Sequence, residues 1–119
     1  MHALHPGPLH RGPLGVMQHH VGSLVAELAA ENKFCLPIPG QAWQPHMTEQ
    51  LDAAWEQFDH WSRMEGHSHS QPRFCLAKLG MTTHYSTWRM LKCKGHNCLM
   101  ICQWLADFCW QDAQGTEDN

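Results

Sequence analysis

Strand-forming residues are scarce: the 119-residue chain holds only two Ile and three Val, and β-branched side chains are the usual material of sheets. The chain is therefore read as mostly α. Charge is thin as well. Charged residues make up 16% of the chain, against roughly 25% in an ordinary soluble domain. The net charge of −3 is too small to complete the disorder signature of low hydrophobicity with strong self-repulsion. No run approaches the roughly 18 apolar residues of a membrane span, and the opening segment lacks the apolar centre of a secretory signal. G-x-S-x-G, G-x-G-x-x-G, P-loop and H-E-x-x-H patterns are also missing, so the chain is expected not to be an enzyme.

What is abundant is aromatic, sulfur and imidazole chemistry: six Trp, seven Met, six Cys and eleven His. The cysteines are Cys35, Cys75, Cys93, Cys98, Cys102 and Cys109. Without a secretory leader, an intracellular location in cytoplasm or nucleus is expected, where thiols stay free. Cys98, Cys102, Leu105 and Cys109 recur at spacings of four, three and four, one helical face on which thiols pack as small apolar groups.

Residues 1–15 carry three Pro, three Gly and three His without an apolar period, which reads as a disordered leader. Apolar spacing predicts a helix over 16–32, weakened by about 1 kcal/mol at Gly22. Pro37, Pro39, Gly40 and Pro45 fix an irregular connector. Thr48 then caps a second helix, 48–63, along which Leu51, Ala54, Trp55, Phe58 and Trp61 form a stripe. Residues 66–72 are a polar break, 73–79 a strand or a helical turn, and 80–87 a loop. Asn97 caps a third helix, 98–111, apolar almost all round, so that it is central to a core or sited at an interface. Leu99, Trp104, Leu105, Phe108 and Trp110 are its core or interface residues. The expected organisation is a single small helical domain over 16–112, with three helices, long irregular connections and an acidic tail over 113–119. Its function is expected to be protein interaction, through self-association or an unknown protein partner at the third helix, with no membrane contact and no cofactor.

Two alternatives fall on the segment 73–98. Residues 66–106 hold five basic and no acidic residues, so Arg73, Lys78, Arg89, Lys92 and Lys94, interleaved with Tyr85 and Trp88, are candidate nucleic-acid contacts: cations beside aromatics suit single strands. The same cations also suit a solvated face paired with acidic neighbours. Cys93, His96 and Cys98 have the loose spacing of a zinc clip, and zinc is the one cofactor this segment could hold. His67 with His69, and His19 with His20, are further metal-type pairs in the chain. Cys98, beside a helix N-terminus, Lys94 and His96, is the best-placed nucleophile, since those neighbours favour thiolate.

The stretch from Leu91 to Leu105 resembles part of a transposase-associated domain of plant-type CACTA (En/Spm) mobile elements. Lys94, His96, Cys98 and Leu105 stand at matching positions, while Asn97 replaces an Asp and Gly95 a Ser or Thr. The resemblance spans fifteen residues and implies a relative of a mobile-element reading frame. It implies a capping and docking role for Lys94, His96 and Cys98. No catalytic residue is carried over.

Overall fold

The computed structural model describes residues 6–81 and 90–118. It has three helices and, among the described residues, no strand: α1 (Pro6–Ala30), α2 (Trp43–Met64) and α3 (Gly95–Asp118). The mostly-α architecture matches the scarcity of strand formers.

Each helix reaches beyond its apolar stripe. α1 starts at Pro6, inside the segment read as a leader, and α2 starts at Trp43, not after Thr48. Proline placement bears on both. The first backbone N–H groups of a helix have no intrahelical acceptor, so Pro6 and Pro8 in α1, and Pro45 in the first turn of α2, lose nothing, whereas Pro13 stands inside α1 and removes one of its backbone bonds. Ala42 takes the N-cap position of α2 without a side-chain cap bond, which displaces Thr48 from that role. α3 starts two residues before Asn97 and runs past Gln111 through residues read as a tail.

The C-terminal ends are set by local geometry. Asn32 adopts φ +61°, with Lys33 N–H donating to Leu28 C=O and Asn32 N–H to Ala29 C=O, both at 3.0 Å. This is the left-handed cap that stops a helix while satisfying its last carbonyls. Gly66, at φ +76°, ends α2 the same way, through His67 N–H to Ser62 C=O (2.9 Å) and Gly66 N–H to Arg63 C=O (3.1 Å). The 73–79 stretch resolves into a turn, with Leu79 N–H on Leu76 C=O at 3.1 Å.

α1 and α3 run in the same direction. Gln18 Nε2 donates to Cys93 C=O at 2.8 Å at one end, and Lys33 pairs with Asp112 at 3.2 Å at the other. α2 returns between them, because the link 31–42 folds straight back: Asn32 hydrogen-bonds His46, and Phe34 N–H reaches Gln50 Oε1 at 3.1 Å. Aromatic rings fill the centre where a typical core would use Ile and Val. Trp104, 3% exposed, sits 5.7 Å from Phe58, 5.8 Å from Phe34, 5.9 Å from Phe108 and 6.3 Å from Phe74 between ring centroids. These separations lie in the range in which aromatic pairs add about 0.5–1.5 kcal/mol beyond burial.

Candidate functional site

The long link between α2 and α3 leaves and re-enters the bundle at one end, where it is held by side chains of all three helices. Trp61 Nε1 first ties α2 to α3 through Asp107 (2.9 Å). Beyond α2, Ser62 Oγ donates to His67 C=O (3.0 Å) and Trp55 Nε1 to Gln71 C=O (3.2 Å). His96 Nε2 donates to Ser68 C=O (3.2 Å), and Asn97 exchanges bonds with Ser70 (3.2 and 3.3 Å). Asn97 therefore clamps the link and does not cap the helix. On the return, Met90 N–H meets Leu79 C=O at 3.2 Å, and Leu91 N–H meets Gln18 C=O at 3.1 Å.

This framework encloses a cleft of about 600 Å3 lined by Gln18, Ser70, Gln71, Pro72, Met90, Lys92, Cys93, Lys94 and Asn97. The volume is that of a small-molecule site. Among the described residues, its lining has two cations and no carboxylate. Lys92 and Lys94 are exposed, and α3 begins immediately beside them, bringing the positive end of its dipole.

Of the seven basic and aromatic candidates, these two share the cleft. Arg73 is engaged elsewhere: its guanidinium pairs with Glu56 (3.0 Å) and Asp52 (4.0 Å) and lies 4.6 Å over the Trp55 ring. It is the case of a basic residue neutralised by an acidic neighbour of the same fold. Lys78 is half-buried, and Tyr85, Trp88 and Arg89 lie outside the described residues.

The zinc candidates do not assemble a three-donor site. Cys93 and Cys98 are joined in a disulfide with Cα atoms 5.4 Å apart, which departs from the free thiols expected. The lead-in to α3 bends back over the first turn, so the spacing that suits a metal clip also suits a crosslink. By loop entropy such a short bridge contributes about 2 kcal/mol. Among the described residues no group of three or more His, Cys, Asp or Glu converges as metal ligands.

The nucleophile candidate is occupied as well, and three of the free thiols are quiet. Cys98 is fully buried and bonded. Burial pushes the Cys102 thiol up, and burial followed by Asp112 does the same at Cys109. Burial and then Glu49 raise Cys35. Raised thiols hold their protons and attack poorly. His69 faces Asp59 at 2.9 Å through Nε2, while its Nδ1 accepts the Gln71 N–H at 2.9 Å. Accepting at Nδ1 places the hydrogen on Nε2, so neither nitrogen is left for proton transfer. This ring is a structural pin for the link.

The chain matches no family model, no curated protein and no solved structure.

The five residues singled out on the last helix divide. Trp104 and Leu105 are core, 3% and 2% exposed, and Phe108 packs partly buried against Phe34. Leu99 and Trp110 are 51% and 66% exposed. Beside them an apolar groove of about 280 Å3 runs between α1 and α3, lined by His20, Val21, Leu24, Cys102, Leu105, Ala106 and Cys109. Among the described residues, no helix is long and apolar enough to cross a membrane.

Gln18, Gln71 and Ser70 are cleft residues that the sequence did not single out. The contact between Gln18 and Cys93 joins positions 75 apart, and no spacing rule reaches that far. A signal did exist for the polar residues of α2. Gln50 and Gln57, seven apart, flank the buried stripe, where a polar side chain must find partners.

Proposed function

We propose that the protein is a non-enzymatic interaction module that associates through the outward face of α3, in the first instance with a second copy of itself. One observation carries this reading: Leu99 and Trp110, both large, apolar and more than half exposed, lie on a single stripe. Eleven residues make three turns of α-helix, so the two side chains project from one face about 16 Å apart. Ala106, also exposed, lies between them. The apolar groove adjoins this stripe, and among the described residues its lining contains no Lys, Arg, Asp or Glu. Exposed apolar surface of this kind, running continuously into a groove, is characteristic of contact faces.

A two-fold arrangement is self-complementary on such a stripe. Two α3 helices packed antiparallel place Leu99 of one copy against Trp110 of the other, with the small Ala106 at the crossing allowing close approach. A different protein with an apolar helix would use the same face. The proposal includes an intracellular setting, where a reducing environment would open the Cys93–Cys98 bridge to two thiols. It also includes descent from a mobile-element reading frame, whose resembling segment forms the lead-in and first turns of α3.

Sedimentation velocity across a wide concentration range tests the reading. The native chain is expected to self-associate with rising concentration. The double variant Leu99→Gln, Trp110→Gln should weaken association by at least about 100-fold, since each buried large apolar side chain contributes about 1.5–3 kcal/mol and a symmetric pair loses them from both copies. Its folding stability should change by no more than about 0.5 kcal/mol, because neither side chain is in the core. A native chain that remains monomeric throughout, or a double variant that associates as the native chain does, would sink the proposal.

A further inference from the structure

The cleft at the start of α3 is not used by the interaction face, and its chemistry is specific. Three features converge there. The first is positive potential: Lys92 and Lys94 line the cleft, and neither forms an ion pair with a described residue. The second is the opening of α3, whose first intrahelical bond runs from Cys98 N–H to Lys94 C=O at 2.7 Å, so that Gly95, His96 and Asn97 belong to the donor-rich first turn. The third is an orphan acceptor. Gln71 lines the cleft, is 3% exposed, and its side-chain Oε1 has no hydrogen-bond partner among the described residues.

An unpartnered buried carboxamide oxygen is unfavourable, because it has given up water without gaining a donor. The main chain of Gln71 is fixed: its N–H is tied to His69 Nδ1 (2.9 Å), and its C=O to Trp55 Nε1 (3.2 Å). Among the described residues, the side chain itself is held only by a 3.3 Å bond from Nε2 to Pro72 C=O. Rotating the carboxamide is therefore inexpensive, and it would turn Oε1 toward a donor brought into the cleft.

We propose that this cleft binds a small organic anion with a hydrogen-bond donor beside its charge. The anionic group, a phosphate or carboxylate, sits between Lys92, Lys94 and the first turn of α3. The donor, an ammonium or hydroxyl, meets Gln71 Oε1. Pro72 and Met90 line the same cleft and give the carbon skeleton apolar contact.

Phosphoethanolamine is a fitting probe, because it has both groups. Ethyl phosphate lacks the donor, and ethanolamine lacks the anion. Titrations followed by amide NMR shifts are expected to show saturable phosphoethanolamine binding, with the largest shifts at the Gln71 side chain and at the amides of residues 94–97. Ethyl phosphate should bind about 3–10-fold more weakly, the value of one hydrogen bond, and ethanolamine should not saturate. The pair Lys92→Met, Lys94→Met should weaken both phosphates at least about tenfold at low salt. Gln71→Met should bring phosphoethanolamine down to the ethyl phosphate level and leave ethyl phosphate unchanged. If Gln71→Met does not fold, the difference between the two phosphates on the native chain carries the same test. The proposal is overturned by no saturation up to about 10 mM, by equal affinities for the two phosphates, or by shifts centred away from residues 70–72 and 90–97.

Discussion

Replacing Gly22 by alanine should destabilise the fold by about 2–4 kcal/mol, although alanine is the better helix former by about 1 kcal/mol. A Cβ at this position would lie 2.6 Å from the Leu91 nitrogen, and 2.9 Å and 3.0 Å from the Met90 Cα and carbonyl carbon. All three are backbone atoms, which cannot rotate aside as a side chain would. The returning segment would have to lift off α1. That strains the Leu91 N–H bond to Gln18 C=O (3.1 Å) and the Gln18 Nε2 bond to Cys93 C=O (2.8 Å). It also exposes Leu91, which is 0% accessible. Overpacking typically costs about 1–3 kcal/mol, and each hydrogen bond about 1 more. Gly15 in the same helix has nothing within 4 Å of its notional Cβ, so Gly15→Ala should gain roughly 0.5–1 kcal/mol. Urea denaturation of the two variants measures the contrast. Equal effects would mean that the return segment does not rest on α1 as described.

The second large effect is expected at Gln50. Its side chain is completely buried and works like a short length of strand partner for the link after α1. Oε1 accepts the Phe34 N–H at 3.1 Å, and Nε2 donates to Cys35 C=O at 2.8 Å. Gln57 holds the Phe34 C=O from one side at 2.7 Å. Gln50→Leu removes both bonds and leaves a buried N–H and a C=O short of a partner, each worth about 1–3 kcal/mol. A loss of about 3 kcal/mol follows. Phe34 should also loosen from Trp104 and Phe108, 5.8 and 5.0 Å away between ring centroids, which tryptophan fluorescence would register. A change below about 0.5 kcal/mol would show that Gln50 is dispensable to the link.

These two positions also show where sequence reasoning reached its limit. The stripe of α2 was legible, since Leu51, Ala54 and Phe58 recur at helical spacing and are all 0% exposed. Asn32 was legible as an end, because a short polar side chain tolerates the left-handed conformation. Gly22, by contrast, looked like a flaw in α1. Its reason lies about seventy residues away, in a backbone contact that local periodicity cannot encode. The start of α2 was placed late because Pro45 was taken as a breaker, and the first turn of a helix is where proline does no harm; the start of α1 was placed late because residues 1–15 show no apolar period. For the cleft, Lys92 and Lys94 stood out as charges, yet Gln18 and Gln71 did not. A neutral amide becomes informative only once its burial is known.

The path of the chain has a measurable outcome. The backbone bond between Leu79 and Met90 closes a neck, and both strands of that neck stay at the same end of the bundle. The placement of α3 on α1 therefore rests on this closure and on the Leu91 bond to Gln18 beside it. Met90→Pro, which removes the donor of the closure, should consequently lower the thermal midpoint of the whole bundle, and an unchanged midpoint would show that the closure does not hold α3 in place.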